Sequence, residues 1–144
     1  MNAKMPPASA GGIPTEDDLI PADERMTAAE FRTITEWLGL SQQDLALILD
    51  VYERTIRRWI AGQNRVPGGI RERIEEIEAF TAQSVGDVVD ACMDAPDPTV
   101  IVYRTDEEMW QARPAFRPYP ARWWRHVVAR AAIEVPALMI DYRS

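Results

Sequence analysis

Ser41-Gln42-Gln43-Asp44-Leu45-Ala46, then Leu49-Asp50-Val51, then Thr55-Ile56-Arg57-Arg58-Trp59-Ile60-Ala61-Gly62, decide how the first half of this 144-residue chain folds. Ser41 is an N-cap residue, and Leu45, Ala46, Ile48 and Leu49 follow it on one helical face. A second short helix is expected from about Glu53 to Ile60, stopping near Gly62. Joined by a tight turn, the two would bury Ala46, Leu49, Val51 and Ile56 against each other, with Ala46 small because the helices cross closely. At about 100° per residue, Ile56, Trp59 and Ile60 fall on one side of the second helix. Arg54, Arg57 and Arg58 fall on the other, within an arc of about 100°.

Helices are expected on both sides of this pair. Thr27-Ala28-Ala29-Glu30 is a capping box, so order should begin at Thr27. Phe31, Ile34, Trp37 and Leu38 recur at helical spacing, and Gly39 supplies a stop. After Pro67-Gly68-Gly69, Ile70, Ile74, Ile77 and Phe80 mark a fourth helix. Residues 26–84 therefore read as an all-α domain. Residues 1–25, acidic and proline-rich with few large apolar side chains, read as a disordered tail.

The remainder changes character. Val85, Val88, Val89 and Cys92 extend the fourth helix or form a fifth, so residues 85–98 are a linker or a helix extension. Asp94-Ala95-Pro96-Asp97-Pro98 breaks it. Thr99–Tyr103 is a β-branched run and the best strand candidate, with Ala137–Ile140 a second. Thr105–Glu108 is another capping box, and Trp123, Trp124, Val127, Val128, Ala131 and Ala132 mark an apolar helix face. Residues 99–144 read as a small α+β domain.

Charge and composition exclude several classes of function. With 16 basic against 23 acidic residues, the net charge of -7 rules out holding nucleic acid by bulk charge. Residues 51–73 nonetheless hold six arginines against two glutamates, a local +4. One cysteine and one distant histidine, Cys92 and His126, exclude a disulfide framework and a zinc cluster. No signal-peptide core or spanning run occurs, so a cytoplasmic protein with no membrane partner is expected. Glu72, Glu75, Glu76 and Glu78 alternate with isoleucines as a solvated face does. No phosphate-cradling loop or nucleophile elbow is present. No enzyme activity, metal or cofactor is expected.

The order and spacing of residues 41–62 resemble the helix-turn-helix of the phage-repressor/Cro-like (XRE-type) family. The resemblance implies a DNA-binding transcriptional regulator whose recognition helix is the one expected at Glu53–Ile60. By position it implies base contacts from Tyr52, Glu53, Arg54 and Arg58, with Arg57 reaching a base or a phosphate. Phosphate contacts are implied for Gln42, Thr55, Asn64 and Arg65, the last two in the loop from Gly62 to Pro67. Two positions depart from the family pattern. Asp50 stands in place of the turn glycine, although aspartate tolerates the left-handed conformation. Tyr52 stands in place of a capping serine or threonine and cannot cap in the same way.

The order of helical domain, strand, helix, proline-rich loop and aromatic helix is similar to the two-domain autorepressors associated with anti-CRISPR operons. That likeness implies a homodimer made by the C-terminal domain. Trp110, Trp123, Trp124, Val127 and Val128 are the expected dimer interface, because the aromatic material exceeds what so short a domain needs. The partners expected are double-stranded DNA carrying an inverted repeat and a second copy of the chain. An alternative is an antitoxin or adaptor whose C-terminal domain binds a partner protein while the N-terminal domain only autoregulates. Arginines interleaved with aromatics across residues 113–125 also suit a platform for single-stranded nucleic acid. A core or interface is the favoured reading of them.

Overall fold

The computed structural model describes residues 24–144, so the expected tail lies outside the described residues up to residue 23. Its last two positions do not fit a tail. Arg25 is buried, as is the next residue, Met26. Arg71 fixes this entry by donating to the carbonyls of Glu24 at 2.8 Å and Arg25 at 3.2 Å. The fold therefore begins before Thr27.

Four helices form the first half: α1 (Ala28–Trp37), α2 (Gln42–Leu49), α3 (Glu53–Ile60) and α4 (Gly68–Met93). Capping explains where the first two start. Thr27 and Glu30 exchange side-chain and backbone bonds at 2.8 and 3.0 Å, and Ser41 and Asp44 do the same at 2.8 and 3.1 Å. Phe31, Leu38, Leu45, Leu49, Ile56 and Trp59 close the core of this half, with the Trp59 ring edge-on to Phe31 at 5.6 Å.

The second half holds β1 (Thr99–Val102), α5 (Asp106–Ala112), α6 (Ala121–Glu134) and β2 (Met139–Tyr142). The strands pair in parallel, Thr99 against Met139 through Val102 against Tyr142. Parallel pairing needs a long crossover, which α5 and α6 supply. The second strand starts two residues later than expected because Val135 to Leu138 form a turn. At the α5 capping box only half the expected exchange occurs. Thr105 accepts from the Glu108 amide at 3.2 Å, but Glu108 accepts from Arg104 instead.

The boundary expected near residue 84 falls inside α4, which runs unbroken to Met93. This helix serves both halves. Its first part packs Ile74 and Ile77 into the N-terminal core, and its second packs Val85, Val88 and Val89 toward α6. Thr81 and Ser84 are buried between them, their hydroxyls donating to the carbonyls of Ile77 at 2.7 Å and Phe80 at 2.9 Å. The halves meet again at Gly39. There a Cβ would come within 2.9 Å of the His126 ring, while His126 Nδ1 donates to the Trp37 carbonyl at 2.8 Å. One contiguous core results.

Trp123 is the centre of its C-terminal part. Its ring lies parallel to Phe80 at 5.5 Å and against Tyr119 at 4.7 Å, and its indole N–H donates to Thr81 at 2.9 Å. Burial raises the Tyr119 phenol above its ordinary pKa of 10.0, Arg73 pulling it down and Glu76 pushing it up. Folding thus favours the neutral phenol, and that contribution is complete below about pH 10 and lost as pH rises beyond it. Urea midpoints in that alkaline range should fall less steeply in Tyr119→Phe than in the wild type. Equal slopes would remove Tyr119 as the titrating group.

Candidate nucleic-acid interface

The turn between α2 and α3 is three residues long and rests on one backbone conformation. Asp50 has φ 58° and ψ 51°, the left-handed region expected of it, and Val51 N–H returns to the Ala46 carbonyl at 3.1 Å. Tyr52 then occupies the N-cap of α3 with no capping side-chain bond, and the helix still starts at Glu53. The Tyr52 carbonyl accepts from Thr55 at 3.0 Å and Ile56 at 3.3 Å, which closes the first turn. The ring, freed from capping, stands 73% exposed.

Helix α3 is sharply two-sided. Ile56 and Trp59 are buried against the N-terminal core, while Tyr52, Glu53, Arg54, Arg57 and Arg58 are all exposed. Arg57 pairs with Glu53 at 3.5 Å, and the Arg54 guanidinium sits 5.2 Å from the Tyr52 ring centre. Arg58 has no ion pair among the described residues. Exposed pairs of this kind contribute little to stability and exchange readily with another anion.

The remaining candidates lie on α2, on α3 and in the loop that follows it. Gln42 opens α2, half-buried beside Glu36, and Thr55 is half-buried on α3. Asn64 and Arg65 are exposed in the loop after α3. That loop is held from beneath by the Arg58 carbonyl, which accepts from Gln63 at 2.9 Å and Asn64 at 3.3 Å. Two arginines of the local basic excess have other work. Arg71 anchors the chain before α1 and faces Glu30 at 3.6 Å, while Arg73 donates to the Ile48 carbonyl at 3.1 Å and faces Glu76. That leaves Arg54, Arg57 and Arg58 exposed on α3 and Arg65 exposed in the loop after it.

No family model and no curated protein matches the chain.

The expected dimer residues need correcting. Trp123, Trp124, Val127 and Val128 are between 0% and 3% exposed within a single chain. Packing onto α4 and β1 consumes them, and they present no surface to a second copy. Trp110 is half-buried, its N–H on the Tyr119 carbonyl at 2.7 Å and the Arg117 guanidinium 4.8 Å from its ring centre. Phe116, Tyr119, Trp123 and Trp124 pack edge-on or tilted against one another instead of forming an open row for bases. The exposed large apolar side chains of this half are Ile133 at the end of α6 and Met139, Ile140 and Tyr142 on β2. Periodicity could not mark the three on β2, since the strand is exposed at all four positions. Among the described residues no helix is long and apolar enough to cross a membrane.

Proposed function

We propose that the chain is a sequence-specific DNA-binding transcriptional regulator, acting as a homodimeric autorepressor on an inverted-repeat operator. The observation that carries this reading is the exposed face of α3. Three guanidinium groups stand together on a short helix whose opposite face is locked into the core, following α2 through a left-handed turn. That is the arrangement a helix-turn-helix presents to a major groove, where arginine grips guanine O6 and N7 with two parallel bonds. Resemblance to the phage-repressor/Cro-like family supports phosphate contacts from Gln42 and from the loop carrying Asn64 and Arg65.

A net charge of -7 makes a lone copy a weak binder, so two copies reading two half-sites fit the chemistry better. Ile133, Met139, Ile140 and Tyr142 are the apolar material exposed for such a contact. The same surface favours the second reading, in which a different protein covers it and the chain is an antitoxin or adaptor. Sedimentation of the pure chain separates them: a dimer at micromolar concentration favours the first, a monomer the second.

The direct test is a mobility shift on duplex DNA from upstream of the chain's own gene, run over a salt series. Binding should be selective over scrambled duplex and weaken steeply with salt. Gln42→Ala and Arg65→Ala should weaken binding to both duplexes about equally, because phosphate contacts position without specifying. Equal affinity of the wild type for operator and scrambled DNA would end the proposal.

A further inference from the structure

Along the second half of α4, Phe80, Ser84, Val88 and Cys92 recur at every fourth residue, a stripe about 18 Å long. All four line a pocket of about 350 Å³. Val100 on β1, Phe116 in the turn after α5 and Trp124 on α6 line it too. Ser84, Val88, Cys92 and Trp124 are between 3% and 8% exposed, so this recess reaches the core. Its size is that of small-molecule pockets, which span about 300–1,000 Å³.

Two charged side chains line the pocket, Arg113 at the end of α5 and Asp87 on α4. Neither makes an ion pair among the described residues, with the other or with any third group. They differ in how they are held. The Arg113 guanidinium lies 5.0 Å from the Trp124 ring centre and 5.8 Å from that of Phe116, so two rings of the pocket wall hold the cation in place. Its N–H groups have no acceptor among the described residues. Asp87 is exposed and has no positioning contact. A guanidinium fixed before binding loses little freedom when it grips a carboxylate with its planar fork.

We propose that this pocket binds a small aromatic monocarboxylate. The aliphatic stripe and the rings of Phe80, Phe116 and Trp124 take its flat apolar body, and Arg113 takes its carboxylate. The preorganised charge is the cation, so the ligand is an anion. Asp87 opposes a second negative group, which disfavours nucleotides and other polyanions. The site uses no residue of α2 or α3 and does not rest on the regulatory reading.

The test uses the full chain, with naphthoate as the probe and naphthamide as its neutral counterpart. In calorimetric titration the wild type should bind naphthoate about tenfold more tightly than naphthamide, as one charge-assisted pair allows. Arg113→Met should bind the two alike, and its position is exposed, so the fold is kept. Ala91→Trp, at another exposed position lining the pocket, should fill the space and abolish binding of both. Cys92 is the one cysteine of the chain and lines the pocket, so its rate of reaction with a maleimide reports occupancy. Saturating naphthoate should slow that reaction several-fold in the wild type and leave the rate in Ala91→Trp unchanged. The proposal is overturned if naphthoate does not bind, if it binds no more tightly than the amide, or if Cys92 reacts equally fast with and without it. Labelling that slows with protein concentration but ignores naphthoate would mean that a second copy covers the stripe, and would overturn it too. No arm contains DNA, so failure of the regulatory reading leaves this result standing, and failure here leaves that reading untouched.

Discussion

Trp123→Ala should remove about 3–5 kcal/mol of unfolding free energy, the largest loss expected from any single substitution in the chain. The side chain is fully buried, and its ring touches Phe80, Phe116, Tyr119 and Trp124. Each of these rings would lose a packed face, and the space left is too enclosed by helices to collapse cheaply. The indole N–H bond to Thr81 adds a smaller part, since Thr81 keeps its bond to the Ile77 carbonyl after the change. Against a total stability of about 5–15 kcal/mol, such a loss leaves a marginal protein. Trp123→Phe, which keeps a ring against Phe80, should lose less. Urea unfolding of the three proteins is the measurement. A Trp123→Ala loss below about 1 kcal/mol would mean that α4 and α6 are not joined as described.

That result would matter for function because Trp123 joins the two halves. The expectation of separate domains came from the composition change near residue 85 and from the aromatic excess after Tyr103. Both signals are real, yet neither says what an apolar face packs against. The rings at 123 and 124 are equally apolar whether a second copy or the same chain covers them. What decides between these lies on α4, where Thr81 meets the Trp123 indole and Ser84 is buried one turn further on. In sequence they read as polar and therefore outward. Each hydroxyl satisfies itself on the carbonyl four residues back, which lets it be buried at little cost. Small buried positions then admit large rings. Tertiary pairing of this kind has no local signature.

Local chemistry, by contrast, was readable. The starts of α1 and α2 follow from Thr27 and Ser41, whose side chains have one good use before a helical run. Asp50 adopts the left-handed turn because few residues other than glycine enter it so readily. The face of α3 follows from helical geometry, since Ile56 and Trp59 can be buried together only if Arg54, Arg57 and Arg58 point away. Arg25 was not readable. Next to acidic residues and after four prolines, it looks like part of a solvated segment, and only the fold shows that it is enclosed.

Replacing Arg54 and Arg58 together by alanine should abolish most of the sequence preference on an operator duplex while leaving the fold intact. One turn apart on the exposed face of α3, the two would reach neighbouring bases. Each bidentate arginine–guanine contact discriminates by about 1–3 kcal/mol, and losses at separate base positions add roughly. The gap between specific and non-specific binding is about 4–10 kcal/mol, so two such losses in each half-site close much of it. Stability should stay within about 0.5 kcal/mol of the wild type, because neither side chain is buried. Residual binding should remain, carried by Gln42, Arg65 and the phosphate chemistry around them, and it should be as strong on scrambled DNA as on the operator. Arg57 acts as an internal control. Its guanidinium already faces Glu53 at 3.5 Å, so Arg57→Ala removes a cation that is partly neutralised and should cost less than either of the others. Quantitative competition between operator and scrambled duplex, at one salt concentration, reads all of these. A double variant that still prefers the operator as strongly as the wild type would move the recognition surface off α3.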